Sequence, residues 1–262
     1  MNSSDRSLAV LKLFSLDKPT WTAEEIAAAL AVSLATAYRY LASLDEAGLV
    51  AAATVGHYGL GPAIIQLDRQ IQLTDPLLMA ARPVMTDLSR FAPDGTAILL
   101  CRPAADCVLC IHQILTSGPQ DPVSYERGRP MPLFAGATSK VILAYQPARS
   151  IKALYNRHAT EIGQAGLGTS LESFRGILAL WRKAGFVISH SEVDPGRTGV
   201  AAPILNEDRV AIGSLSYVVP HTTQERVISR LSSLVVAGAR EIETTLVNGG
   251  LPVAAQSRTY AT

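Results

Sequence analysis

Two short apolar stripes with helical spacing lie close together near the start of the chain. Ile26 and Leu30 belong to the first stripe, and Leu41 and Leu44 belong to the second, each recurring at the interval of an amphipathic helix. The segment between the stripes, Ala31 to Ser33, is too short for anything but a turn. The pattern therefore predicts a helix-turn-helix.

The residues around these stripes predict the helix ends and the next element of the chain. Ser33 can cap the second helix, because its hydroxyl can accept a hydrogen bond from a free backbone N–H group. Gly48 is placed to end that helix. The next stretch, LVAAATVGHYGLG, has two β-prone runs around Gly56, which predicts the hairpin wing of a winged helix. Another helix is predicted upstream, over residues 4–16.

The outer face of the second predicted helix is free to enter a DNA major groove. On it, Tyr38 can donate its hydroxyl hydrogen, and Arg39 can bind a phosphate or a guanine edge. The candidate DNA-binding residues are Ser33, Leu34, Ala35, Thr36, Tyr38 and Arg39. The stretch also fits an ordinary helical hairpin in which Arg39 is only solvated, and by itself it leaves both interpretations open.

The hydrophobic pattern changes twice after the wing. Residues 62–92 predict a helical connector, broken near Pro76, whose apolar face is either a dimerisation surface or packed on its own chain. From Gly95 onward, β-rich runs and helices alternate irregularly, which predicts an α+β domain around an antiparallel sheet. Strands are predicted in GTAILLCR, CVLCIHQIL, FVISHSEV, GVAAPIL and RVAIGSLSYVV, and helices are predicted after Gly136, in SLESFRGILALWRKAGF and from about Thr223 to Val247.

This pattern divides the chain into four predicted regions. They are a winged helix-turn-helix domain at 1–61, a helical linker at 62–92, an α+β sensory-type domain at 93–248 and a disordered tail at 249–262.

Composition narrows the class of protein. The 262 residues, 48% of them hydrophobic, can bury a full core and are enough for two domains. We see no signal-peptide pattern and no apolar run long enough to span a membrane. The three cysteines fit a reducing compartment better than a disulfide framework. We therefore expect a cytoplasmic protein with no membrane partner.

The charge balance qualifies the prediction of DNA binding. Over the whole chain the formal net charge is only +1. Residues 1–61 contain four basic and six acidic side chains, a net charge of −2, which is unusual for a domain that neutralises phosphates. We expect weak, salt-sensitive DNA binding unless a dimer supplies two heads.

The residues with catalytic or metal-binding chemistry do not form a recognisable site. Cys107 and Cys110 have the spacing of half a zinc site, but positions three apart on a strand point to opposite faces and no second pair exists. Cys101, His112 and His190 offer a nucleophile and a base without a third, orienting group at a known spacing. We therefore predict no catalytic residue, no metal and no cofactor.

A candidate anion site lies where the helix after Gly136 begins. Backbone N–H groups at a helix start, here those of Gly136 and Ala137, suit a carboxylate. Ser214 and Ser216 are two positions apart on a predicted strand, so they share one face and can present two hydroxyls together. Buried strand serines are also common without a ligand, and this second interpretation stays open.

Together these segments resemble the IclR family of bacterial transcriptional regulators. The resemblance covers roughly residues 4–248, and it is carried by the winged helix-turn-helix, by GRPMPLFAGATSKVILAYQP and by GFVISHSEVDPGRTGVAAPI. It implies a linker helix that leads to a GAF-like effector-binding domain. It also implies operator binding by dimers or dimers of dimers, with a small organic or aromatic acid that changes the affinity for DNA.

The resemblance also implies roles for individual positions. The family's recognition helix matches Ser33–Glu46, and its frequent arginine matches Arg39. The family often has glycine in the turn, lysine and serine at the helix start and arginine in the wing, where this chain has Ala31, Leu34, Ala35 and Gly59. The implied effector pocket consists of Gly136, Ala137, Ser189, Gly199, Ser214 and Ser216. Cysteine is frequent in some members where this chain has Gly199, which implies a roomier pocket here.

The sequence thus predicts a ligand-responsive transcriptional regulator of a catabolic operon for a small organic or aromatic acid, acting on double-stranded operator DNA as a homodimer or homotetramer. Two alternatives stay open. One is an enzyme that uses Cys101, Cys110 or His190 on a small carboxylate. The other is an adaptor whose acidic head has lost DNA binding.

Overall fold

The computed structural model describes residues 3–118 and 123–249. These residues form nine α-helices and eight β-strands in two compact units, of which the first ends at Asp75 and the second begins at Pro76. Apart from Gly249, the predicted disordered tail lies outside the described residues. The predicted linker, 62–92, contributes one helix to each unit, and the predicted boundaries at 61, 92 and 248 stay predictions.

The first unit contains the predicted helix-turn-helix and wing. Its helices are α1 (Ser3–Ala9), followed by a 3₁₀ turn (Val10–Lys12), α2 (Ala23–Leu30), α3 (Leu34–Glu46) and α4 (Pro62–Thr74), and its strands are β1 (Val50–Thr54) and β2 (His57–Leu60). The helix predicted over residues 4–16 is therefore too long. Tertiary hydrogen bonds end it, because the indole Nε1 of Trp21 donates to the Leu13 carbonyl oxygen at 3.0 Å and the Ser15 amide donates to the Lys18 carbonyl oxygen at 3.2 Å.

The helix ends of the first unit are set by local side chains, and the predicted ones are confirmed. The Ser33 hydroxyl caps α3 by accepting from the Thr36 amide at 3.3 Å. Gly48 follows α3 with a positive φ of 67°, and the Leu49 amide donates back to the Leu44 carbonyl oxygen, which closes the helix end. The turn between α2 and α3 places Ala31 at φ 51°, a left-handed conformation that glycine adopts more readily.

The second unit is built on one antiparallel sheet. Its helices are α5 (Pro76–Ser89), α6 (Ala137–Ala144), α7 (Ala148–Gln164), α8 (Leu171–Ala184) and α9 (Glu225–Asn248). Its strands are β3 (Ala97–Ala104), β4 (Cys107–Leu115), β5 (Pro130–Met131), β6 (Val187–His190), β7 (Arg197–Leu205) and β8 (Ala211–Pro220). Antiparallel pairing in the order β5-β4-β3-β8-β7-β6 confirms the predicted α+β class. Helix α7 and the two-residue strand β5 were not predicted.

Each face of the sheet has its own apolar core. Helices α5 and α9 cover one face, where Leu215 and Tyr217 of β8 are buried, and the Tyr217 hydroxyl donates to the Leu88 carbonyl oxygen at 3.0 Å. Helix α6 packs on the other face, and α7 and α8 complete the second core with it. The strand alternation therefore turns Ser214 and Ser216 toward α6, on a common face as predicted.

Candidate DNA-binding face and effector pocket

The outer face of α3 is exposed along the predicted recognition residues. Leu34 and Tyr38 keep 42% and 48% of their surface exposed, although both are large and partly apolar. Ser33, Ala35 and Arg39 are also exposed, and Thr36 is half-buried. The opposite face is buried by Ala37, Tyr40, Leu41 and Leu44. The geometry therefore leaves the whole predicted set available for a partner.

A surface depression at the start of α3 brings together two arginines that are far apart in the sequence. The depression has a volume of about 430 Å³, and Arg6 and Arg39 both line it, beside Ser33 and Thr36. Two guanidinium groups next to exposed hydroxyls suit a phosphate. Sequence reasoning counted Arg6 only as a charge. Its contribution here follows from the packing of α1, which the sequence does not reveal.

The ammonium group of Lys18, near the helix-turn-helix, already has partners within the unit. Lys18 donates from Nζ to Glu25 Oε1 at 2.8 Å and lies 3.6 Å from the centre of the Trp21 ring. At the tip of the wing Val55 is 99% exposed, and the hairpin sequence from Val50 to Leu60 contains no lysine or arginine. Arg6 and Arg39 are the positive charges that line the depression at the start of the recognition helix.

Four of the six predicted effector-binding residues line one small cavity. Gly136 and Ala137 at the start of α6 form one side, and Ser189 of β6 and Gly199 of β7 form another. The cavity has a volume of about 20 Å³, which is space for roughly one water molecule. Its remaining walls are Tyr125, Thr138, Glu192, Val193, Asp194, Arg197 and Val218.

The two strand serines do not line this cavity. The Ser216 hydroxyl is 3.0 Å from the Thr138 hydroxyl and forms a buried hydrogen bond with it. The Ser214 hydroxyl is fully buried on the same face, without a hydrogen-bond partner among the described residues. The structure thus places Ser216 directly behind the cavity wall, and Ser214 two positions further along the strand.

The backbone donors at the start of α6 have partners from the chain itself. The Gly136 amide donates to Glu192 Oε2 at 2.9 Å, and the Ala137 amide donates to the Ser189 hydroxyl oxygen at 2.8 Å. Lys140, one turn into α6, donates from Nζ to Glu192 Oε1 at 2.6 Å. We call the Gly136 and Ala137 amides with the Lys140 ammonium the anion site. Sequence reasoning missed Lys140 and Glu192, although a lysine inside the apolar helix ATSKVILA signals a buried counter-ion.

The remaining polar walls of the cavity are also engaged. The Tyr125 hydroxyl lies 2.9 Å from the Ser139 hydroxyl, and burial raises the pKa of Tyr125 well above its usual value, so the phenol stays protonated. Arg197 donates from Nη1 to the Gly95 carbonyl oxygen at 2.6 Å. Asp194 accepts hydrogen bonds from the backbone amide and the hydroxyl of Ser124.

Glycine at position 199 allows β6 and the start of α6 to pack closely against β7. A Cβ atom there would lie 3.0 Å from the Ser189 hydroxyl oxygen and 3.3 Å from the Ala137 Cβ. The space that a side chain would take is therefore filled by β6 and by the start of α6. The absent side chain does not enlarge the cavity, contrary to the roomier pocket that the resemblance implied.

The residues of the alternative enzymatic site lie in unsuitable surroundings. Cys101 and Cys110 face each other across β3 and β4, both buried, and burial raises the pKa of the Cys101 thiol well above its usual range. A protonated thiol is a poor nucleophile. His190 is exposed, and its Nδ1 lies 3.1 Å from the Thr198 hydroxyl. Over residues 3–118 and 123–249, no three His, Cys, Asp or Glu side chains are grouped so that they could hold a metal ion.

No single helix in the described part of the chain is long and apolar enough to cross a membrane. Helices α2 and α3 together reach the required length and composition, but they are bent by 110° at the turn between them.

An exposed recognition helix with a wing, followed along the chain by an α+β domain with a small cavity at a helix start, is the arrangement of a DNA-binding transcription regulator with a ligand-binding domain. Family models agree with this class over both units. Residues 3–53 match the IclR helix-turn-helix domain, and residues 73–244 match the C-terminal domain of the bacterial transcriptional regulator IclR. The chain belongs to the IclR family, whose members are DNA-binding transcription regulators and not enzymes.

Characterised relatives are similar along most of their length. The HTH-type transcriptional regulator KipR of Bacillus subtilis is 27% identical over 214 residues, which are 80% of this chain and 83% of the relative. The glycerol operon regulatory protein of Streptomyces griseus is 28% identical over 221 residues, 84% of this chain and 85% of the relative. An IclR homologue from Microbacterium hydrocarbonoxydans, solved in complex with 4-hydroxybenzoate, has the same fold with a TM-score of 0.73 and 22% identity, covering 94% of this chain and all of the homologue.

Proposed function

We propose that this protein regulates a catabolic operon by binding a pseudo-palindromic operator, and that a small organic or aromatic acid bound in the C-terminal unit changes its affinity for DNA. The observation that carries the proposal is the exposed outer face of α3, with Arg39 and Arg6 beside the helix start. A relative named for regulating a glycerol operon supports the catabolic operon, and a homologue that holds 4-hydroxybenzoate supports the acid ligand.

On DNA, the two arginines have different roles in this proposal. Arg39 lies on the recognition helix and reaches a base edge or a phosphate, with Tyr38 and Thr36 as neighbouring polar contacts. Arg6 belongs to α1 and contacts a phosphate, which gives affinity without sequence information. The small residues Ser33 and Ala35 allow close approach at the helix start, and Leu34 offers an apolar contact to the groove. The low positive charge of the head makes two heads necessary for tight binding.

Pairing of two chains is supported by α4. None of its residues is buried within the chain, and four large apolar side chains are about half exposed or more: Ile65, Leu67, Ile71 and Leu73. This many exposed apolar side chains on one helix are typical of an interface. We propose that α4 pairs with its copy and holds two recognition helices at the spacing of an operator.

The ligand site of this proposal is the cavity at the start of α6. A carboxylate suits the amides of Gly136 and Ala137, because the helix dipole and two adjacent N–H groups favour an anion there. Ser189 and Gly199 line the site, while Ser214 and Ser216 support its wall. An acid changes DNA affinity only as far as it binds one arrangement of the protein more tightly than the other.

The proposal is tested by fluorescence anisotropy with DNA from upstream of the protein's own gene, over a series of salt concentrations. Because a specific arginine contact is worth about 1–3 kcal/mol, Arg39→Ala should weaken operator binding by about tenfold or more with an intact fold. Arg6→Ala should weaken binding to all sequences and lower the salt slope by about one per head. Arg175→Ala, which changes an exposed arginine of α8, is the matched control.

The same titration separates the proposal from the adaptor alternative. If Arg39→Ala leaves DNA binding unchanged, α3 does not read DNA and the head serves another partner. Repeating the titration with a panel of aliphatic and aromatic acids tests the ligand. An operator affinity that no acid shifts would contradict the acid-responsive part of the proposal alone.

A further inference from the structure

The proposed ligand site already holds a carboxylate, and this carboxylate belongs to the chain. Glu192 uses both of its oxygens there, since Oε2 accepts from the Gly136 amide at 2.9 Å and Oε1 accepts from Lys140 Nζ at 2.6 Å. These are the contacts that a free acid would make at the start of α6. Glu192 therefore imitates a bound ligand.

Glu192 reaches the anion site from the solvent side. The Lys140 side chain is only 8% exposed, whereas the Glu192 side chain is 32% exposed. A buried ammonium needs a counter-charge from the protein or from a ligand, whereas the partly exposed glutamate is already close to water and loses less when it leaves the pair. The cation is thus the fixed member of the pair, and the carboxylate is the exchangeable one.

The loop that carries Glu192 lies between β6 and β7 and is closed by its own hydrogen bonds, and Asp194 ties it to Ser124. It covers residues 191–196, and it is bounded by two left-handed residues, Ser191 at φ 52° and Gly196 at φ 75°. Its ends are joined because the Ser191 amide donates to the Arg197 carbonyl oxygen at 2.8 Å and the Gly196 amide donates to the Ser191 hydroxyl at 3.2 Å. Val193, in the middle of the loop, is part of the cavity wall.

Space and charge both prevent a second acid from joining Glu192. The cavity of about 20 Å³ is too small for even the smallest organic acid. A second carboxylate beside Glu192 would also be an unbalanced negative charge, because Glu192 and Asp194 already match the two cations beside the cavity, Lys140 and Arg197. An acid can therefore enter the anion site only after Glu192 has left it.

We infer that Glu192 is a tethered competitor, which occupies the anion site until an effector carboxylate replaces it on the Gly136 amide and the Lys140 ammonium. The inference rests on the proposed function, because it assumes that the effector binds there as an acid. It makes the 191–196 loop the part of the protein that moves on binding. Only molecules in which the loop is released can bind the acid. The apparent affinity for the acid is therefore the intrinsic affinity multiplied by the fraction of such molecules.

The experiment replaces the tethered carboxylate with a free one. Glu192→Ala removes the competitor and leaves Lys140 without a counter-charge. Acetate should therefore bind this variant and stabilise it. Acetamide, which has the same shape as acetate but no charge, should not. We expect acetate to bind Glu192→Ala about tenfold or more tightly than the wild type. Glu207→Ala, which changes an exposed glutamate at the other end of β7, is the control and should behave as the wild type. Binding is measured by calorimetry and by the thermal shift of the full chain.

Three results would overturn the inference. They are equal acetate affinities in Glu192→Ala and the wild type, equal stabilisation by acetate and acetamide, and no acetate binding to the variant at tens of millimolar. If Glu192→Ala fails to fold, Glu192→Ser, which also empties the anion site and keeps a polar side chain at this partly exposed position, is compared in the same way.

DNA binding of the same proteins separates this inference from the proposed function. Acetate that binds Glu192→Ala tightly without changing its operator affinity would support the tethered competitor and contradict acid-responsive regulation. Wild-type operator binding that responds to an acid, together with no gain of acetate affinity in the variant, would support the regulation and overturn the competitor.

Discussion

Helices α3 and α6 begin the two candidate sites, and their first turns are capped in opposite ways. In the first unit, α3 is capped from within its own sequence, because the Ser33 hydroxyl accepts from the Thr36 amide three residues later. In the second unit, Gly136 before α6 has no side chain to offer. The amides of Gly136 and of Ala137, the first residue of α6, instead donate to Glu192 and Ser189, which lie 56 and 52 residues further along the chain.

This difference suits the two functions that we propose. A helix start that is complete by itself can bind and release DNA without a change in the fold, so α3 can serve as a rigid reading surface. A helix start that depends on a distant loop and strand must exchange tertiary contacts when a ligand binds. Binding at α6 therefore alters the surrounding structure, which is what a sensory site requires.

The largest effect should come from disturbing the start of α6 itself. Gly136 has φ 80° and ψ 146°, a backbone region in which other residues are strained, and an added Cβ would lie 3.0 Å from both the Tyr125 hydroxyl and Val193 Cγ2. We expect Gly136→Ala to lower the free energy of unfolding of the second unit by about 2–4 kcal/mol. Hydrogen exchange, with α2 and α3 as an internal reference, measures the effect unit by unit.

Gly176→Ala is the matched control for this substitution. Gly176 lies inside α8, where an added Cβ would meet open space, so alanine should stabilise the helix by about 0.5–1 kcal/mol. If Gly136→Ala is as stable as the wild type, the start of α6 is not constrained as we describe, and the contrast with α3 disappears.

A smaller effect should distinguish the two caps directly. Ser189→Ala leaves the buried Ala137 amide without its acceptor, which should cost about 2 kcal/mol in the second unit. Ser33→Ala removes a cap at an exposed position, where water can replace the hydroxyl, and should cost about 1 kcal/mol in the first unit. Urea unfolding followed by hydrogen exchange compares the two. Equal costs, or a larger cost for Ser33→Ala, would contradict the contrast.

The same contrast decides what could be predicted from the sequence. The caps and turns of the helix-turn-helix were predictable, because Ser33 and Gly48 act on residues within five positions of them. Strands such as β8 were predictable from their apolar runs. The exposed set on α3 followed from helical periodicity, because that periodicity fixes which residues share a face.

What could not be predicted depends on contacts between distant residues. The first helix stops early because Trp21 takes the Leu13 carbonyl oxygen, and Arg6 comes beside Arg39 only through the packing of α1. Glu192 was predicted near the end of the strand FVISHSEV, and nothing local shows that its carboxylate meets Lys140 across 52 residues. The omission of α7 is different, because Ile151, Leu154 and Ile162 do follow a helical spacing.

The smallest predicted effect concerns how the stability of each unit depends on pH. One glutamate in each unit has a shifted pKa, and the two shifts have opposite directions. The hydrogen bond from Lys18, followed by the one from the Thr22 amide, lowers the pKa of Glu25 below its usual 4.5. Burial raises the pKa of Glu243 above 4.5, although its carboxylate accepts from the Leu205 amide at 2.7 Å. Glu25 therefore stabilises the first unit above about pH 4.5 and loses this contribution as the pH falls through its lowered pKa. Glu243 contributes most to the second unit below about pH 4.5 and loses its contribution as the pH rises through its raised pKa.

The two opposite pKa shifts predict opposite results for two matched substitutions. With Glu25→Gln, the first unit should lose less stability than the wild type as the pH falls below 4.5. With Glu243→Gln, the second unit should lose less stability than the wild type as the pH rises above 4.5. Hydrogen exchange over a pH series follows each unit in the same sample, with the unchanged unit as the reference. Because both carboxylates are at least partly exposed, solvent screening keeps both effects small. A change of the same sign in both variants would show that burial does not dominate at Glu243, and that the two units respond to acid for one common reason.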